Sequence, residues 1–117
     1  MNDLAEASRV FATRYHAHPA LVAEQRGWSR RVLLVASDRD SSVTLRVEDG
    51  RVVEITTPNS SREPADVTIT ADHATLLDVL ELRRSPNEPY LFGELTVRGP
   101  EADFLRLDYL LAALCAH

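Results

Sequence analysis

One stretch limits the possible folds more than any other. Val43, Leu45 and Val47 alternate with Thr44, Arg46 and Glu48. That period of two places one set on each face of a half-buried strand, where a helix would scatter them. Asp49-Gly50 follows at once. A two-residue type I′ turn requires positive φ at both central positions, and this dipeptide tolerates it. The run 51–57 then returns, with Val53 and Ile55 expected inward and Glu54 outward. The stretch therefore specifies an antiparallel pair with one dry and one wet face, and the dry face needs a second layer over it.

The rest of the chain supplies more strands and the cover. The Val- and Leu-rich run 31–37, joined through Asp38-Arg39-Asp40-Ser41, makes a three-stranded meander. A loop is expected at 58–64. Residues 66–70, with Val67 and Ile69 on one face, form a fourth strand, and 94–98, with Leu95 and Val97, form a fifth. Helical spacing appears at 3–16, through Leu4, Ala7, Phe11 and Tyr15 with Ala12 beside them, and Pro19 ends it. A short helical turn fits 20–25. Asp72 is placed to cap a helix over 73–83, with Leu76, Leu77 and Leu80 as its stripe. Ser85 to Pro89 carries two prolines and is expected to be non-helical. Gly99-Pro100 opens the last helix, which runs to Leu114. Its apolar residues Phe104, Leu107, Leu111 and Leu114 are widened by Leu105, Leu110 and Ala112. A stripe that broad calls for cover on more than one side, by the core, a partner subunit or a ligand. The expected class is α+β: a two-layer sandwich in one domain, 1–117, with a mainly antiparallel five-stranded sheet covered by helices.

Composition removes several functions. The 13 basic residues are outnumbered by 18 acidic ones, for a net charge of −5, which opposes nucleic-acid and anionic-membrane binding. Five of the arginines fall in residues 1–31, leaving room for a basic patch at Arg30-Arg31. No lysine is present, so Schiff-base and Walker-type chemistry are excluded. Cys115 is the only cysteine and reads as a small buried hydrophobe, incapable of an intrachain disulfide. No apolar run approaches a membrane span, and the opening residues lack a signal-peptide core, so the chain reads as cytoplasmic and Asn59-Ser60-Ser61 as a loop and not a sequon in use.

The histidines do not make a metal site. His16 and His18 have no third ligand at a usable spacing, and His73 reads as a solvated first-turn residue. No GxSxG elbow or phosphate-cradling glycine loop occurs. No catalytic residue, cofactor or metal is expected. Asp108 stands out because it shares a helix face with Phe104, Leu107 and Leu111, where a carboxylate needs a partner. Either an arginine meets it or it faces the polar head of a ligand.

Read together, three stretches resemble the type-two sterol carrier protein domain. They are the hairpin Ser42–Ile55, the strand Ala65–Thr70 with its following helix, and Phe92–Gly99 with the closing apolar helix. The resemblance implies a twisted five-stranded sheet and a hydrophobic tunnel between sheet and helices. Carried onto this chain, the tunnel is lined by Leu76, Leu77, Leu80, Leu95, Val97, Phe104, Leu107, Leu111 and Leu114, with Asp108 among the ligand-binding residues. The family often has glycine at the end of the helix before the last strand, where this chain has Leu82-Arg83-Arg84, and Gly-Asp where it has Gly99-Pro100. The ending Cys115-Ala116-His117 is not a peroxisomal signal, which points to a bacterial stand-alone member.

Three functions follow as expectations. The first is a non-catalytic carrier of an apolar small molecule of lipid, fatty acyl, isoprenoid or polyketide type. It requires a cavity larger than a few waters. The second is a small pathway enzyme of cyclase or isomerase type using the same pocket, with Tyr90, Glu94, Asp108 and Tyr109 as the groups to watch. The third is a homodimer with a filled core.

Overall fold

A computed structural model describes residues 3–39, 41–56 and 64–115. Asp40 of the first turn, the end of the third strand at Thr57, the loop residues 58–63 with the sequon, and the final two residues lie outside the described residues.

The elements run α1 (Leu4–His16), α2 (Pro19–Glu24), β1 (Arg30–Ala36), β2 (Ser41–Glu48), β3 (Arg51–Thr56), β4 (Val67–Ala71), α3 (His73–Leu80), α4 (Asn87–Leu91), β5 (Leu95–Arg98) and α5 (Glu101–Cys115). The strands form one sheet in the order β3-β2-β1-β4-β5. β1–β2, β2–β3 and β4–β5 are antiparallel, while β1 and β4 run parallel. The sheet is thus mixed and mainly antiparallel. Its dry face carries Val32, Leu34, Val43, Leu45, Val67, Ile69 and Leu95, all buried, and the buried sides of α1, α3 and α5 join the same core. The fold class is the expected α+β sandwich.

Local chemistry explains the element boundaries. The hairpin turn has Asp49 at φ 51° and Gly50 at φ 81°, the pair of positive angles that its dipeptide allows. At Gly50 the glycine is also required by packing, since a Cβ there would lie 2.8 Å from the Gln25 carbonyl oxygen. Asp3 caps α1 by accepting from the Glu6 N–H, and Asp72 caps α3 through the Thr75 N–H. Those bonds from Thr75 hold the Asp72 carboxyl below its usual range. Pro19 ends α1 and opens α2.

Several expectations are corrected. Val53 is 47% exposed, whereas Val52 and Ile55 pack on the core. The cause is a bulge: Val47 pairs with Val52 and Arg46 with Glu54, so Val53 is the extra residue and turns outward. The segment Ser85 to Pro89 is not wholly non-helical, because α4 begins at Asn87. Pro86 occupies its cap and Pro89 its first turn, where the N–H that proline lacks has no intrahelical partner to lose. His73 is buried, not solvated, and its backbone N–H is held by Asp38 from the β1–β2 turn. Cys115 is exposed, because the stripe of α5 ends at Leu114.

The breadth of the α5 stripe also resolves. Leu110 joins Phe104, Leu107, Leu111 and Leu114 in the core, while Leu105 and Tyr109 remain exposed within this chain. Leu91 and Phe92, at the end of α4, are the most exposed large apolar residues among those described, at 71% and 75%.

Candidate functional site

Between sheet and helices lies a cavity of about 40 Å³. Its floor is Val32, Leu34, Leu45, Ile69 and Leu95 from the sheet. Its walls are Phe11 of α1, Leu76, Val79 and Leu80 of α3, Pro86 at the head of α4, and Phe104, Leu107 and Leu111 of α5. All of these are apolar. They converge because each helix presents its buried stripe to the same sheet face. The space holds only about three waters. Ligand pockets for small molecules occupy about 300–1,000 Å³. The cavity found therefore falls short of the size the carrier reading requires, and a lipid enters it only if the walls move.

Six of the sequence-derived lining residues meet at this cavity: Leu76, Leu80, Leu95, Phe104, Leu107 and Leu111. Leu77 and Val97 pack, half-buried, against the core without lining the cavity. Leu114 is buried but lines a separate groove with Arg14, His18 and Leu82. Asp108 does not line the cavity, and seven lining residues lay outside the expected set: Val32, Leu34, Leu45 and Ile69 of the sheet, with Phe11, Val79 and Pro86. Phe11 and Val79 carry the signal of their helical stripes, while Pro86 sits in a segment whose placement no periodicity announces.

Asp108 lies on α5 between Phe104 and Leu111, both of which line the cavity. No arginine pairs with it among the described residues. Instead burial pushes its pKa up, opposed in part by the backbone N–H of Asn87 at the start of α4. Oδ1 is buried with no hydrogen-bond partner. Nearby, the ring of Tyr90 in α4 rests on that of Phe104, with centroids 4.6 Å apart.

The other groups considered for catalysis point elsewhere. Glu94 is exposed and 3.3 Å from Arg84. Tyr109 is exposed and its hydroxyl meets Glu24 at 3.2 Å. The arginines at 30, 31 and 46 do line an open groove of about 360 Å³, together with Glu48 and Asp66. Arg30 is bound to Asp103 and Arg46 lies near Glu48 and Glu54, so acidic residues offset the basic patch. Among the described residues, no three or more His, Cys, Asp or Glu are grouped to hold a metal.

A small α+β domain with helices packed over one face of a five-stranded mixed sheet, and an apolar space between the layers, defines the class. The chain belongs to the SCP-2 sterol transfer family, whose sequence profile matches residues 13–111. Its structure is similar to that of a conserved protein from Thermus thermophilus, described as possibly a sterol carrier protein, at 22% identity and a TM-score of 0.68, covering 93% of this chain and 83% of that one. A structure of sterol carrier protein 2 matches at 22% identity and a TM-score of 0.67, over 98% and 93% of the two chains. The ubiquinone synthesis protein UbiJ-SCP2 matches at 17% identity and a TM-score of 0.70, over 95% and 94%. At these identities the likeness is one of fold. No curated protein matches the chain.

Proposed function

We propose that this chain is a non-catalytic carrier that binds an apolar small molecule, of lipid, fatty acyl, isoprenoid or polyketide type, between its sheet and its helices. The observation that carries the proposal is the wholly apolar cavity walled by α1, α3, α5 and Pro86 and floored by the sheet. Membership of a sterol transfer family and the names of the structural relatives support it. Leu76, Leu80, Leu95, Phe104, Leu107 and Leu111 would touch the ligand first, and Leu77, Val97 and Leu114 as the space grows. Loading must enlarge the cavity several-fold. The element suited to move is α4, a five-residue helix closed on α5 through Tyr90 and Phe104. Burying apolar ligand surface contributes about 25 cal/mol per Å², which must exceed the cost of that opening.

The test is a native mass spectrum of the purified protein, solvent extraction, and titration of the stripped protein with Nile red, a neutral apolar dye. A co-purifying lipid or saturable dye binding displaced by lipids is expected. A clean mass with no saturable binding would overturn the carrier. The pathway-enzyme reading keeps one of its four groups, Asp108, whose carboxyl is inward with a raised pKa. The homodimer reading keeps the exposed Leu91, Phe92 and Leu105 as surfaces a second copy could cover, and the same spectrum reports the mass of one chain or two.

A further inference from the structure

Asp108 does not itself line the cavity, but it is the one residue of α5 with a buried polar atom that lacks a hydrogen-bond partner, among the described residues. Phe104, four residues before it, and Leu111, three after, both line the cavity, as does Pro86, the neighbour of Asn87. The backbone N–H of Asn87 faces the carboxyl, at the seam of α4 and α5. Its Oδ1 is removed from solvent and has no hydrogen-bond partner. A buried acceptor without a donor is costly, and an apolar residue would fill the same helix position at no such cost.

We propose that Asp108 is the head-group site of the carrier, and that the ligand is an apolar chain or ring ending in a hydrogen-bond donor, such as an alcohol or phenol, and not in a carboxylate or phosphate. The inference rests on the carrier reading. A hydroxyl entering between α4 and α5 donates to Oδ1 and satisfies it, while its apolar body lies against Phe104, Leu107 and Leu111. An anionic head meets a second acceptor with no donor between them. Neither nearby basic group redresses this: Arg106 is engaged with Gln25 and the Trp28 ring, and Arg84 with Glu88 and Glu94. Asp108 thereby selects among ligands that the apolar walls alone would accept equally.

The experiment compares dodecan-1-ol, dodecanoate and dodecane as competitors of Nile red, on the wild-type chain and on Asp108→Asn. This substitution keeps the shape and replaces one carboxylate oxygen with an N–H donor. A thermal melt confirms that the variant is folded. The wild type is expected to bind the alcohol about tenfold more tightly than the acid, and also more tightly than the alkane. In Asp108→Asn that preference should vanish or reverse toward the acid. Equal binding of alcohol and acid by the wild type, or an unchanged preference in the variant, overturns the head-group role and leaves the carrier standing. Saturable dye binding in neither protein overturns both.

Discussion

The indole N–H of Trp28 donates to Asp103 Oδ1 at 3.0 Å, joining residues 75 apart in the chain inside the core. The second oxygen of Asp103 receives Arg30 Nε at 3.0 Å. The first turn of α5 is therefore fixed to the segment entering β1, and Arg106, 5.6 Å from the Trp28 ring, covers the same joint. Asp103→Ala should destabilise the protein by about 2–3 kcal/mol, because it strands a buried N–H beside a cation. Asp103→Asn keeps one acceptor and should cost about half as much. Urea unfolding followed by fluorescence of Trp28, the single tryptophan, measures both, and equal losses would show that the Trp28 bond, which asparagine can still accept, contributes nothing.

Leu82 sits at φ 64°, just beyond the end of α3. The left-handed conformation costs a branched side chain about 1–2 kcal/mol and costs glycine nothing. Leu82 also packs partly against the core. Leu82→Ala loses the packing and keeps the strain, so it should destabilise by about 1–2 kcal/mol. Leu82→Gly loses the packing and releases the strain, and should fall within about 1 kcal/mol of wild type. The ordering, glycine above alanine, is the reverse of that in a helix interior, and thermal melts of the two variants decide it.

Tyr15 is buried, and its hydroxyl donates to the Gly50 carbonyl at 2.5 Å. Burial pushes its pKa from 10.0 up to about 12, against the opposing pull of Arg106 and Arg51. A folded pKa above the unfolded one means stability that is complete below pH 10 and is lost as pH rises toward about 12. Tyr15→Phe should cost about 1 kcal/mol at neutral pH through the lost bond. It should also flatten the alkaline fall. A variant that loses stability across that window as steeply as wild type would show that the phenol is not the group responsible.

His16 accepts the Val52 N–H on Nε2 at 3.2 Å, tying the end of α1 to the bulged edge strand. That bond needs a neutral ring. Burial, and then Arg51, lower its pKa from 6.5. The unfolded chain thus takes up the proton first, so this contribution is present above pH 6.5 and is lost as pH falls through the lowered folded pKa. His16→Gln removes the titration. The stability difference between wild type and this variant should shrink as pH falls from about 7 to 5. A difference constant with pH would exclude His16 as an acid-sensitive tie.

How much of this was legible in the residues depended on the range of the interaction. The hairpin at Asp49-Gly50, the caps at Asp3 and Asp72, the break at Pro19 and the α+β class follow from turn chemistry and from periods of two and 3.6. These act within a few residues, so the sequence by itself determines them. It also carries the family, through the order and spacing of strands and helices, and six of the residues that meet at the cavity. The outward turn of Val53, the α4 helix between two prolines, the burial of His73 and the Trp28–Asp103 joint were decided only by tertiary structure. Each depends on a partner strand, turn or helix far along the chain. The same holds for Asp108. Its spacing marks it as a carboxylate among apolar residues, but only the seating of α4 on α5 brings the Asn87 N–H toward it and leaves Oδ1 buried without a partner. The size of the cavity belongs to this second group too, because it is the small difference between large volumes packed from every element at once.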